Sequence, residues 1–246
     1  MPLTYEDIAG KIDHSLLGPT LTDSDLAIGC RLAAEYRVAS VCIKPYAVAM
    51  AAEVLKGSGV AVGTTIGFPH GGHTTGMKLL ESEQAMSDGA TELDMVVNIG
   101  RVIGGDWGAV EAEVGAITKL AHDRGAIVKV IFENCYLDDS QKVRLSEICG
   151  AVGADFIKTS TGYGTGGATL HDLRLMRKST APCTQLKAAG GVRTLEAIAE
   201  VIGVGCTRIG LSKTKELLDE FRARLERGET LEVPAEAAES KLGGGY

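Results

Sequence analysis

The 246-residue chain has few aromatic side chains; four Phe, six Tyr and one Trp amount to 4% of it. A core of stacked rings is therefore excluded, and Val, Ile, Leu and Ala have to fill the interior, as they do in a parallel β/α barrel. Positive charge is not in excess: 25 Lys and Arg against 32 Asp and Glu leave a net charge of −7. That balance argues against nucleic-acid or membrane-surface binding, because both need a basic face. No run of 18 apolar residues occurs, and the opening MPLTYEDIAG has neither a basic region nor a hydrophobic stretch. Cys30, Cys42, Cys135, Cys149, Cys183 and Cys206 form no C-x-x-C pair and share no repeated spacing, so neither a zinc site nor a disulfide framework is indicated. Reduced thiols in a soluble, cytoplasmic protein are expected.

What is present is alternation. Short β-branched runs lie near Lys11–His14, Ala39–Ile43, Val60–Gly67, Glu92–Asn98, Ala126–Glu133, Asp155–Ser160, Gln185–Ala189 and Thr207–Gly210, and segments of helical period separate them. Strands alternating with helices imply a parallel sheet with right-handed crossovers. Thr22, Thr74, Asp106, Asp138, Thr169, Thr194 and Lys213 mark helix starts, and Pro45 sits in a first turn. An open doubly wound sheet shares this pattern, but eight consecutive units in a chain of this length favour a closed TIM (β/α)8 barrel. We assign residues 1–228 to that single domain and 229–246, which ends in three glycines and Tyr246, to a flexible tail.

Catalytic groups of such a barrel project from the C-terminal ends of different strands. Those ends carry Asp13, Cys42, Asp94, Lys129, Glu133, Lys158 and Lys187, a polar set for interior strands. Lys158 and Lys187 stand out, because burial lowers the pKa of an ammonium and a second cation lowers it further. Either could be a nucleophilic amine near neutral pH, with an aspartate moving protons during carbonyl chemistry. Pyridoxal phosphate is disfavoured, since no partner for its ring nitrogen can be assigned.

Strands seven and eight end in AAGGVRT and RIGLSKT, where glycines let backbone N–H groups approach a phosphate. Gly190, Gly191, Val192 and Arg193 form one half of a candidate cradle, and Gly210 and Ser212 the other. The turn Thr161–Gly164 offers a third edge. The His70–His73 loop lacks a carboxylate at ligand spacing and reads as lining of the barrel mouth rather than a zinc site. Lys129 and Glu133 read equally as an internal ion pair or as catalytic groups.

Taken together, IDHSLL (12–17), SVCIKP (40–45), GFPHG (67–71), ELDMVVNIG (92–100), KVIFE (129–133), FIKTSTG (156–162), LKAAGGVRT (186–194) and RIG (208–210) resemble the class I deoxyribose-phosphate aldolases over nearly the whole chain. The resemblance implies a TIM barrel without metal or organic cofactor that cleaves 2-deoxyribose 5-phosphate to glyceraldehyde 3-phosphate and acetaldehyde. It makes Lys158 the Schiff-base lysine, Lys187 the cation that tunes it and Asp94 the proton-shuttling carboxylate. Asp13, Cys42 and Thr159 would meet the substrate, and Tyr246 would assist proton transfer from the tail. A dimer or tetramer is also implied. Some relatives have a phosphate-binding lysine where this chain has Tyr163, and Gly210–Lys213 departs from the usual serine-rich turn, so Lys213 is expected to supply the missing charge. Two rival readings are the same chemistry on another, non-phosphorylated aldehyde and a non-catalytic phosphosugar-binding barrel.

Overall fold

The computed structural model describes residues 2–234. Eight strands, β1 (Ile12–Leu16), β2 (Ser40–Ile43), β3 (Ala61–Ile66), β4 (Glu92–Val96), β5 (Ile127–Ile131), β6 (Phe156–Lys158), β7 (Gln185–Ala189) and β8 (Cys206–Leu211), pair in parallel in chain order and close with β8 against β1. Closure excludes the open doubly wound alternative. All eight expected strands are present, and their bounds differ from expectation by no more than two residues.

Helices α1 (Tyr5–Ala9), α2 (Asp23–Tyr36), α3 (Val48–Val54), α4 (Thr75–Ser87), α5 (Ile99–Ile103), α6 (Trp107–Asp123), α7 (Asp139–Ala151), α8 (Leu170–Ser179), α9 (Leu195–Gly203) and α10 (Thr214–Glu226) complete the described residues. Thr22, Thr74, Asp106, Asp138, Thr169 and Thr194 cap their helices through the side chain, as expected. Lys213 holds the N-cap position of α10 without a side-chain bond, and Pro45 opens a separate short 3-10 turn, Pro45–Ala47, ahead of α3. Thr22 and Asp138 each form a reciprocal capping box, with Asp25 and Gln141 respectively, satisfying otherwise orphaned amides at the helix start. The five-residue helices α1 and α5 were not expected, because neither is long enough to show a helical period. No helix among the described residues is long and apolar enough to cross a membrane.

Two expectations need correction. The aliphatic residues do not fill the barrel's centre: Leu93, Met95, Val128, Val130, Ile157, Leu186, Ala188 and Ile209 are fully buried, and alternation turns them from the charged interior face toward the surrounding helices. The barrel axis is instead occupied by charge. Residues 229–234, expected to belong to a flexible tail, include a segment held against the barrel. Leu3 N–H donates to the Leu231 carbonyl at 2.8 Å, Pro2 bridges Glu232 in antiparallel fashion, and Leu231 is buried in the core. The apolar Leu231 and Val233 anchor this segment, a signal that the polar and glycine-rich residues after it obscured. Tyr246 lies outside the described residues.

Candidate active site

Alternation along each strand explains how the charges converge. Glu92 and Asp94 are two apart on β4 and share its inner face, as Phe156 and Lys158 do on β6. Register then sets neighbours side by side: Asp94 beside Lys129, and Lys158 beside Lys187, which in turn flanks Arg208. Three carboxylates and four cations result. Lys129 Nζ lies 2.7 Å from both Glu92 Oε2 and Asp94 Oδ1. Lys187 Nζ lies 2.5 Å from Asp13 Oδ2 and 2.7 Å from Asp94 Oδ2. Arg208 spans Asp13 Oδ1 at 2.5 Å and Glu92 Oε1 at 2.7 Å, and its guanidinium sits 5.6 Å from the centre of the Phe156 ring.

Lys158 differs from the other three. Among the described residues, Asp94 is the one carboxylate within ion-pair distance of it, at 2.7 Å through the same Oδ2 that Lys187 uses. Four cations against three carboxylates leave one positive charge too many, and a neutral Lys158 removes it. Buried charge must be compensated to be tolerated, so the network favours the free amine at the site with the weakest pairing.

The titration directions agree with that geometry. Burial is the largest influence on Lys158 and lowers its pKa; Asp94 opposes this and Lys187 adds to it, with a net shift downward. Burial also acts on Lys187, but Asp13 and Asp94 outweigh it and hold that ammonium above its ordinary value. Asp94 would be raised by burial, yet Lys129, Lys158 and Lys187 keep it well below the usual carboxylate range. Burial and the Asp94 charge push the Cys42 thiol up to about 11, and its Sγ stands 3.9 Å from Asp94 Oδ2.

A narrow cavity at the barrel mouth reaches Lys158 and Lys187 and is lined also by Asp13, Cys42, Thr161, Gly190 and Gly210. Beside it, a cavity of about 280 Å³ is lined by Gly190, Gly191, Val192, Arg193, Gly210, Leu211, Ser212 and Lys213, so the two glycine-rich turns do form one concave surface. Lys213 is the exposed N-cap residue of α10 on its rim.

Other expected positions are differently engaged. Thr159, just past the end of β6, turns away from Lys158, and its hydroxyl is bonded to the Ala189 backbone at 3.1 Å instead of lining the cavity. Lys129 and Glu133 are not an ion pair. Lys129 takes Glu92 and Asp94, while Glu133 accepts from the Thr161 amide at 3.2 Å and from the Thr161 hydroxyl. Burial raises the Glu133 pKa. The Thr161–Gly164 turn is no third edge of the glycine-lined cavity, because Tyr163 points the other way and donates its hydroxyl to the Leu17 carbonyl at 2.9 Å. His70 lines a side cavity with Glu133 and Tyr136. Sequence reasoning missed Arg208 and Glu92. The signal for Glu92 was its position two residues before Asp94 on an inward face.

A parallel barrel that buries an under-paired lysine against a carboxylate at its C-terminal mouth defines an amine-based carbonyl catalyst of the class I aldolase kind. The chain belongs to the DeoC/LacD family of aldolases, whose family model matches residues 8–210. It is 56% identical over 221 residues to a deoxyribose-phosphate aldolase of Rhodopirellula baltica, covering 90% of this chain and 92% of the relative. A deoxyribose-phosphate aldolase of Thermococcus gammatolerans is 45% identical over 218 residues, covering 88% and 97%. Among solved structures, a tetrameric deoxyribose-phosphate aldolase of Aeropyrum pernix superposes with a TM-score of 0.83 at 32% identity, over 89% of this chain and 93% of that one.

Proposed function

We propose that this chain cleaves 2-deoxy-D-ribose 5-phosphate reversibly to D-glyceraldehyde 3-phosphate and acetaldehyde through a Schiff base on Lys158. The observation that carries the assignment is the unequal pairing of the four buried cations, which leaves Lys158 as the amine with one shared carboxylate. The neutral Lys158 amine adds to the aldehyde carbon of the open-chain sugar, and loss of water gives an iminium. A base removes the proton of the C3 hydroxyl, the C2–C3 bond breaks, and its electron pair moves toward the iminium nitrogen as glyceraldehyde 3-phosphate leaves. The resulting enamine takes a proton on carbon, and water releases acetaldehyde. Asp94 Oδ2, 2.7 Å from both Lys158 and Lys187, is the group suited to carry protons during formation and loss of the carbinolamine. Lys187, held protonated by Asp13 and Asp94, keeps the neighbouring amine low in pKa.

The phosphate end is assigned to the cavity formed by Gly190, Gly191, Val192, Arg193, Gly210 and Ser212, with Lys213 adding charge at its rim. Tyr246, by resemblance to a C-terminal tyrosine of the family, is assigned to proton transfer at the enamine carbon. The likeness to a tetrameric relative supports a dimer or tetramer, and six free cysteines support a reducing cytoplasm. Borohydride reduction in the presence of acetaldehyde tests the centre of this reading. Peptide mass analysis is expected to find the ethyl adduct on Lys158; an adduct confined to Lys187, or none, overturns the assignment.

A further inference from the structure

Three cavities meet at one hydrogen-bonded bridge beside Lys158. The Lys158 cavity shares Leu17 with an apolar groove of about 300 Å³, whose walls include Pro19, Pro45, Phe68 and Pro69. It shares Thr161 with the side cavity next to Glu133, and Tyr163 lines both the groove and that side cavity. The same three residues are tied together: Tyr163 donates its hydroxyl to the Leu17 carbonyl at 2.9 Å and its amide to Thr161 Oγ1 at 2.9 Å. Glu133 holds Thr161 through both its amide and its hydroxyl. The Tyr163 ring also packs edge-on against Phe68, with centroids 5.5 Å apart. None of the residues lining the glycine-rich cavity takes part, so this partition stands apart from the proposed phosphate end.

Resting on the aldolase reading, we propose that Tyr163 is a specificity-determining residue: bonded to Leu17 and Thr161, which line the Lys158 cavity, it closes that cavity on the side of the groove and so limits the acceptor to short aldehydes. The groove behind it is mostly apolar, with Leu17, Pro19, Pro45, Phe68 and Pro69 in its walls beside Thr65, Lys44 and Glu81, and it suits the chain of an unbranched aliphatic aldehyde. With the wall removed, the Lys158 enamine of acetaldehyde attacks the carbonyl carbon of hexanal. A C–C bond forms, the carbonyl oxygen takes a proton, and the iminium is hydrolysed to 3-hydroxyoctanal and free lysine. The water released when acetaldehyde condensed is returned at hydrolysis, and no other reactant is needed.

The test compares wild type, Tyr163→Ala and Tyr163→Phe, with hexanal and glyceraldehyde 3-phosphate as alternative acceptors for acetaldehyde. Pocket differences of a few methylenes change such ratios by about ten-fold or more. Tyr163→Ala is therefore expected to raise kcat/KM for hexanal relative to glyceraldehyde 3-phosphate by roughly that factor. Tyr163→Phe, which keeps the ring, should leave the ratio near wild type, and inhibition by inorganic phosphate should be unchanged in both. An unaltered ratio in Tyr163→Ala, an equal loss with both acceptors, or weakened phosphate inhibition overturns the proposal. Should Tyr163→Ala not fold, Tyr163→Val removes the ring as well and carries the same expectations. Borohydride trapping on wild-type Lys158 reports separately on the aldolase reading.

Discussion

Lys158 and Lys187 are neighbours in register, fully enclosed and of the same residue type, yet the charges around them drive their protonation in opposite directions. The consequence for stability has opposite signs too. The unfolded chain holds the Lys158 proton more tightly than the fold does, so that ammonium weakens the fold at neutral pH. The penalty fades as pH rises toward the ordinary lysine value of 10.5. Lys187 stabilises below that value, and its contribution is lost only as pH rises through its elevated folded pKa. Lys158→Met should therefore be at least as stable as wild type in urea unfolding near neutrality, although it loses the proposed covalent step. Lys187→Met strands Asp13 and Asp94 with one cation fewer and should cost about 3–5 kcal/mol. Equal destabilisation by the two substitutions would show that the lysines are electrostatically equivalent.

At the scale of elements, strand positions, closure and caps were legible because they depend on local pattern: β-branched runs, period-two alternation, and Thr or Asp at helix starts. The partners of the charges were not, since Arg208 meets Asp13 across 195 positions and Glu92 across 116, and no short window contains such a pair. The convergence of the two glycine-rich turns on one cavity was legible, and the structure adds why glycine is needed at one of them. Gly190 has a φ of +78°, and a Cβ there would stand 3.0 Å from Gly167 Cα, on the turn that leads into α8. Gly190→Ala should push these two turns apart and disturb the amides of the cavity proposed to take the phosphate. A loss of about 1.4 kcal/mol in phosphate binding corresponds to a tenfold rise in KM. We expect that rise for 2-deoxyribose 5-phosphate and little change in kcat/KM for unphosphorylated deoxyribose. A similar loss with both sugars would mean that the turn supports Lys158 itself and not the phosphate.

Across the whole molecule the two ends of the barrel do different work. The mouth holds charge in a partly balanced state, and the opposite face is sealed by the segments around Leu3 and Leu231. Leu3 and Leu231 pair there through the backbone and are both buried, while Val233 reaches α9 so closely that a Cβ on Gly203 would stand 3.0 Å from its Cγ1. A chain ending at Gly228 loses this seal, and one ending at Pro234 keeps it. Exposing the cavity that Leu231 fills should cost about 1.5–3 kcal/mol, the usual worth of one buried leucine. In a domain of this size that corresponds to a melting temperature lower by roughly 3–12 °C for the shorter chain. Because the seal lies across the barrel from Lys158, both truncated chains should form the borohydride adduct with acetaldehyde to the same extent at a temperature where both are folded. Equal melting temperatures would show that residues 229–234 contribute nothing to the barrel's stability, and a difference in adduct yield would show that this segment is coupled to the site.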